Sequence, residues 1–203
     1  MIQSLFPIPI GLYDLDKSFI KSELNYFDSL ELRNSLTNKI SIDSNILTDK
    51  KMNRIEKFCN NSIKDYIKNT YDLEEDVKLY ITQSWLNLTL PSEFHHRHSH
   101  PNSIVSGVLF IDVDEEKDKI QFYNNSLLYR GGAFHFDCIS NNDFNSESWW
   151  MPSITGRLYI FPSGLQHDVP ADNTREKERV SLSFNTFLTG NIGDEIQMTK
   201  LVL

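Results

Sequence analysis

The residues best equipped for chemistry lie in Glu93-Phe94-His95-His96-Arg97-His98-Ser99-His100-Pro101, which holds four of the chain's six histidines. His96, His98 and His100 alternate, and on an extended strand residues two apart point to the same side. Neutral imidazole is the commonest metal ligand. Two such ligands at i and i+2, completed by a remote third, cover one face of an octahedral ion. Three positions stay open, as catalytic iron sites require. His167 is the remote candidate. The near pair can be drawn as His98 with His100 or as His96 with His98, and spacing alone leaves both open.

Arg179 follows His167 by twelve residues, across the charged stretch Ala171–Lys177. That stretch can reverse the chain, so the expectation is two antiparallel strands that bring His167 and Arg179 together. An arginine in a run with Val180, Leu182 and Phe184 either pairs with an acid at the surface or grips a carboxylate bidentately inside the fold. Ser181, two residues on, points the same way. Asn87, beside Trp85, either faces the same interior or packs in the core. His135, within Ala133-Phe134-His135-Phe136-Asp137, is a loop histidine that either packs or touches substrate. Ser163 lies near His167, but no GxSxG elbow is present, which argues against serine hydrolase chemistry.

These residues need strands to hold them. From residue 77 the chain is rich in β-branched and aromatic residues, in short runs bounded by turn residues. Strands are expected over Val77–Leu90, Ile104–Val113, Ile120–Tyr123, Arg157–Pro162, Leu165–Val169 and Val180–Leu188, with a last one within Glu195–Leu203. Many short strands without βαβ alternation indicate a sandwich or barrel. Asp114–Asp118 reads as a hairpin turn or exposed loop. Residues 124–152 break the pattern and read as a long loop, with Trp149 and Trp150 packing on the barrel mouth or covering a pocket.

Before residue 77 the character is different. Residues 4–10 are apolar with alternating prolines, as in an edge strand or extended arm. Phe19, Ile20, Leu24 and Phe27 predict a helix over 17–28, and residues 34–47 read as a loop. Thr48 as N-cap and the stripe Met52, Ile55, Cys59, Ile63, Tyr66 and Ile67 predict a helix over 49–70. The expected organisation is one domain over 1–203. An arm and helices fill 1–76, and a β core with the 124–152 loop fills 77–203.

The 203 residues suffice to bury a core, and 39% hydrophobic with 24% charged residues is a globular composition. A formal net charge of −8 argues against nucleic acid and anionic membrane as partners, since both need basic surface. Cys59 and Cys138 have no CxxC spacing, as expected of reduced thiols. No stretch reads as a signal peptide or approaches the roughly 18 apolar residues of a membrane span. The expected location is the cytoplasm.

Several motifs taken together resemble a known family. They are Trp85-x-Asn87, His98-x-His100-Pro101-Asn102-Ser103 and Ser106-Gly107-Val108-x-Phe110. They continue with Gly156-x-Leu158-x-Ile160-Phe161-Pro162-Ser163-x-x-x-His167 and Glu178-Arg179-Val180-Ser181-x-Ser183-Phe184-Asn185. This set, over about residues 80–188, resembles a family of 2-oxoglutarate/Fe(II)-dependent oxygenases met mostly in marine bacterial and phage proteins. The resemblance implies a mainly β fold with N-terminal helices (α+β), built on a double-stranded β-helix, the cupin-like jelly roll. It implies Fe(II) held by His98, His100 and His167, and a 2-oxoglutarate cosubstrate bound by Arg179 with Ser181 and Asn87 beside it. It implies a small-molecule cosubstrate, a separate prime substrate and a hydroxylase. The superfamily's usual triad is two His and one carboxylate. Here His100 holds the carboxylate's place, and the site is one unit more positive. Two other functions fit a jelly roll: a cupin-like metal protein with isomerase or three-His dioxygenase chemistry, and a non-catalytic binding domain. Arg179 favours the oxygenase, because a carboxylate clamp has no evident task in the others.

Overall fold

The computed structural model describes residues 2–124 and 137–203. Its strands are β1 (Gly11–Asp14), β2 (Leu32–Asn34), β3 (Lys39–Ser41), β4 (Lys78–Thr89), β5 (His95–His98), β6 (Val105–Asp112) and β7 (Lys119–Tyr123). They continue with β8 (Ser148–Pro152), β9 (Arg157–Pro162), β10 (His167–Val169), β11 (Arg179–Thr189), β12 (Asn191–Ile192) and β13 (Leu201–Val202). The helices are α1 (Lys21–Asp28) and α2 (Asn53–Thr70).

A seven-stranded sheet runs in the order β1-β9-β6-β11-β4-β3-β2, and a four-stranded sheet in the order β5-β10-β7-β8. The two form a jelly roll with one layer of helices outside the larger sheet. Period-2 alternation explains how one sheet serves two cores. On β6, β9 and β11, Leu109, Ile111, Leu158, Ile160, Leu182 and Phe184 turn outward to meet Met52, Ile55, Cys59, Ile63 and Tyr66 of the helical layer. The intervening Val108, Phe110, Tyr159 and Phe161 turn inward and pack with Ile120 and Phe122 of the smaller sheet. Arg179, Ser181, Ser183 and Asn185 share the inward parity, so the interior of the jelly roll is polar along β11.

The helices form where the apolar stripes predict, with shifted starts. α1 begins at Lys21 rather than 17, and Glu23 accepts a hydrogen bond from the Ile20 amide at 3.0 Å. Buried Glu23 also receives Arg54 of α2 on both oxygens, at 2.9 and 2.7 Å, which ties the two helices together. The second helix is preceded by a 3-10 turn over Lys50–Met52. Asp49, not Thr48, caps that turn by accepting from the Lys51 amide at 2.8 Å. The 34–47 stretch contains β3 and a 3-10 turn rather than loop alone.

Three further expectations change. First, β10 and β11 do not form a hairpin. β10 pairs with β5 and β7, whereas β11 pairs with β4 and β6 in the other sheet. The 171–177 stretch crosses between layers, and His167 and Arg179 come from facing sheets. Secondly, β6 and β7 also lie in different sheets, and Asp118 between them is buried. Thirdly, Trp149 and Trp150 sit on a strand, β8, paired with Phe122 and Gln121, and are half-exposed. Residues 125–136, with His135, lie outside the described residues. The proline-rich stretch leads into β1, which is an edge strand of the larger sheet, and among the described residues the C-terminal segment pairs as β12-β13. Cys59 is buried and Cys138 exposed, with no disulfide between them. Among the described residues no helix is long and apolar enough to cross a membrane.

The outer core has a close contact at Gly107, whose cross-strand partner is Phe184. A Cβ placed on Gly107 would stand 2.2 Å from the Phe184 ring, and Phe184 is fully buried. Gly107→Ala should therefore cost about 1–3 kcal/mol by overpacking, read as a lower urea midpoint at unchanged slope. An unchanged midpoint would mean the ring has room to move.

Candidate metal and cosubstrate site

β5 brings His95, His96 and His98 to the edge of the smaller sheet, and His100 follows just past its end. Pro101 and Asn102 then turn the chain. Proline presets the first corner, and Asn102 takes a left-handed φ of 59° that asparagine tolerates. The His100 amide donates to the Ser163 carbonyl at 2.8 Å, which fastens this turn to the end of β9. His167 opens β10 directly opposite His98.

The ligand atoms of His98, His100 and His167 all lie within 4.8 Å of one another. The other ring nitrogen of each is occupied. His98 Nδ1 donates to the His96 carbonyl at 2.7 Å, and His167 Nδ1 donates to the Leu165 carbonyl at 3.0 Å. His100 Nδ1 lies 2.6 Å from Asn185 Oδ1 and 2.8 Å from Ser106 Oγ. A carbonyl oxygen can only accept, so each Nδ1 carries the hydrogen and each Nε2 presents a lone pair. The Nε2 atoms of His98 and His100 are 2.9 Å apart. Two lone pairs at that distance repel unless a cation or a proton lies between them.

Burial reinforces the neutral form. Desolvation, aided by the neighbouring imidazoles, lowers the pKa of His100 to about 4 and that of His167 well below its ordinary value. His98 is lowered as well, chiefly by burial. All three are therefore available as ligands at neutral pH. Phe161 packs on His167 with ring centroids 4.6 Å apart, and Trp85 on His100 at 5.9 Å. Behind His100 a buried hydroxyl chain runs from Ser106 to Ser163 at 2.7 Å and on to Ser103 at 2.7 Å. Ser106 also donates to Asn185 Oδ1 at 2.9 Å. A cleft of about 510 Å³ lined by Tyr80, Gln83, Pro101, Asn102 and Phe187 opens beside this network and shares Asn185 with it.

Further along the same inner face, Arg179 and Ser181 are buried, and Ser181 pairs across the strands with Asn87. Asn87 is engaged within the protein: its amide donates to Ser183 Oγ at 2.9 Å, and its carbonyl accepts from Trp85 Nε1 at 3.3 Å. Arg179 Nη1 reaches Asp118 Oδ1 at 2.9 Å. Its Nη2 is buried and has no partner among the described residues. Burial lowers the Arg179 pKa to about 10, against the pull of Asp118, so the group remains a cation at neutral pH.

His96 is not a member of the converging set, and Asp168 turns to the outer side, where Tyr123 donates to it at 2.6 Å. Five further residues shape the site. Asn185 and Ser106 hold His100, and Asp118 with Arg175 meets Arg179. His95 stacks on His98 with centroids 4.6 Å apart, and burial, neighbouring imidazoles and the charge of Arg179 bring its pKa to about 3. Asn185 was visible in the alternation from Arg179. Asp118 and Arg175 sat in charged stretches that look solvated in sequence.

Imidazoles converging inside a jelly roll, with a buried arginine on the facing sheet, define a double-stranded β-helix metalloenzyme of the oxygenase type. The chain belongs to the 2-oxoglutarate/Fe(II) oxygenase family: the family described as "Putative 2OG-Fe(II) oxygenase" matches residues 83–185, about half of the chain. The protein is thus an oxidoreductase that uses Fe(II) and 2-oxoglutarate as cosubstrate. Solved structures agree on the fold. A 2OG-Fe(II) oxygenase family oxidoreductase from Burkholderia pseudomallei is similar at TM-score 0.57 and 12% identity, over 87% of this chain and 84% of that one. A prolyl-4-hydroxylase from Pseudomonas putida is similar at TM-score 0.51 and 15% identity, over 86% and 92%. HygX from Streptomyces hygroscopicus, solved with nickel and 2-oxoglutarate bound, is similar at TM-score 0.57 and 9% identity, over 87% and 82%. Among curated proteins no sequence matches the chain.

The depressed histidines make the metal-free protein acid-sensitive. Unfolded, an imidazole titrates near 6.5, whereas His100 and His95 titrate near 4 and 3 when folded. Between those values the unfolded chain binds more protons, so stability falls as pH drops. The thermal midpoint of metal-free protein should be highest above about pH 7 and fall from about pH 6.5 towards 4. His95→Gln should flatten that fall. A parent midpoint flat across this range would contradict the buried neutral histidines.

Proposed function

We propose that His98, His100 and His167 hold the iron through their Nε2 atoms, and that the protein is a hydroxylase. The observation that carries this is the convergence of three imidazoles whose Nδ1 hydrogens are all tied to carbonyl oxygens. Such partners orient a ligating ring and raise its basicity. Neutral nitrogen donors suit Fe(II), and the absence of a carboxylate leaves the metal's full charge for an anionic cosubstrate. When bound, the iron and 2-oxoglutarate supply an O2-dependent oxidation coupled to loss of CO2.

The chain's own residues bind and orient. Arg179 receives the distal carboxylate of 2-oxoglutarate on its unpartnered Nη2, in a buried position where a charge-assisted hydrogen bond is strong. Ser181, on the same face of β11, offers a hydroxyl beside it. Asn87 contributes indirectly, by holding Ser183 and Trp85 in place. Phe161 and Trp85 shield the histidines from water. The whole chain acts as one oxygenase domain, with the jelly roll carrying the site and α1 and α2 bracing it from outside. The prime substrate is a separate molecule that presents a C–H bond to the iron.

Metal analysis separates the ligands. His100→Ala and His167→Ala should lose Fe(II) at least tenfold more readily than His96→Ala in equilibrium dialysis. Full retention of iron by His100→Ala would overturn the three-histidine assignment. Arg179→Ala should keep its iron and bind 2-oxoglutarate at least tenfold more weakly, seen anaerobically as loss of the visible band of the ternary complex.

A further inference from the structure

Arg179 has company. Asp118 is 4% exposed and accepts from two guanidinium groups on a single oxygen: Arg175 Nη1 and Arg179 Nη1, each at 2.9 Å. Its other oxygen accepts from the Asp114 amide at 2.9 Å. Both arginines are 3% exposed. Both terminal nitrogens of Arg175 are spent on the protein, because its Nη2 also donates to the Thr89 and Leu90 carbonyls at the end of β4, and only its Nε is buried without a partner among the described residues. It cannot turn to a ligand without leaving those groups. Arg179 is only half spent, with Nη1 on Asp118 and Nη2 buried without a partner among the described residues.

The formal charges of this buried cluster are two positive and one negative. Its excess of one positive charge is expensive to keep out of water unless an anion balances it. Without Arg175, Asp118 would neutralise Arg179 one to one, and the subsite would attract no anion. With Arg175 present, Asp118 is shared, and one further carboxylate completes the balance.

We propose that Arg175, acting through Asp118, is the residue that makes the site select a 2-oxo acid with a second carboxylate over one that ends in an alkyl group. The inference rests on Arg179 facing the cosubstrate and adds a charge-setting role for two residues that do not touch it. Arg175 is a positioning residue: it fixes the electrostatic state of Asp118 and thereby that of Arg179.

The test compares anaerobic binding of 2-oxoglutarate and 2-oxopentanoate, which has a methyl group in place of the distal carboxylate, to the Fe(II)-loaded protein. The parent should prefer the diacid by tenfold or more. Arg175→Gln should lose most of that preference through weaker diacid binding, with 2-oxopentanoate affinity unchanged within about twofold and iron content unchanged. The double variant Asp118→Asn with Arg175→Gln returns the excess to one positive charge and should regain the preference, a reversal that simple damage to packing would not give. An Arg175→Gln protein that keeps its preference, or a double variant that fails to regain it, overturns the proposal. Should Arg175→Gln not fold, Asp118→Asn decides: the preference must hold or rise, and a tenfold fall overturns it. If the parent shows no preference and Arg179→Ala binds both acids as the parent does, the failure lies in the placement of Arg179 and not in the brace.

Discussion

Each of the three clustered imidazoles gives its Nδ1 hydrogen to an oxygen held by the fold, two of them backbone carbonyls and one the Asn185 amide. Much else in the structure follows from that arrangement. Three rings whose ligand atoms lie within 4.8 Å of one another would repel as cations, and burial removes the water that could relieve them. They must therefore be neutral and turned alike. Keeping them so requires the tight turn at Pro101 and Asn102, the bond from His100 to Ser163, and the hydroxyl chain behind His100. It also requires two sheets rather than one, since His100 takes its partner from β11 while His167 enters from β10.

Charge is distributed against the grain of the chain. The sequence carries a net charge of −8, yet among the described residues the converging imidazole cluster includes no carboxylate, and the Arg175-Asp118-Arg179 cluster has an excess cation. On the proposed ligation, a metal dication held by three neutral histidines next to such a cluster would form a positive pocket inside an acidic protein. That pairing would suit a small dianion that is drawn in and enclosed.

Parity was legible in the sequence, and partnership was not. The alternation of Arg179, Ser181, Ser183 and Asn185 fixes which side of a strand each residue faces, and the spacing of His98 and His100 does the same. The stripe on α2 likewise shows which face is buried. None of these patterns says which strand lies alongside. The hairpin expected for His167 and Arg179 is the locally simplest pairing, but a jelly roll sends consecutive strands to opposite sheets, so β10 and β11 separate. Asp118 and Arg175 were hidden for a related reason. Each sits in a run of charged residues that looks solvated, and only the crossover between sheets brings the runs together out of water. Asp49 took the cap expected of Thr48 because the helix is entered through a 3-10 turn.

β11 carries Arg179 near its start and Asn185, the partner of His100, six residues later, with a bulge immediately after Asn185. It is held on both sides, by β4 and by β6. The strand thus works as a ruler. The gap between the proposed iron ligands and the proposed carboxylate clamp is ruled off by rigid backbone at roughly 3.3 Å per residue. Insertion of a single residue between the two marks would turn one of them to face the helices. On the proposed placement of iron and clamp, the length of the acid would be inscribed in a strand paired on both sides, where a one-residue change cannot be absorbed gradually.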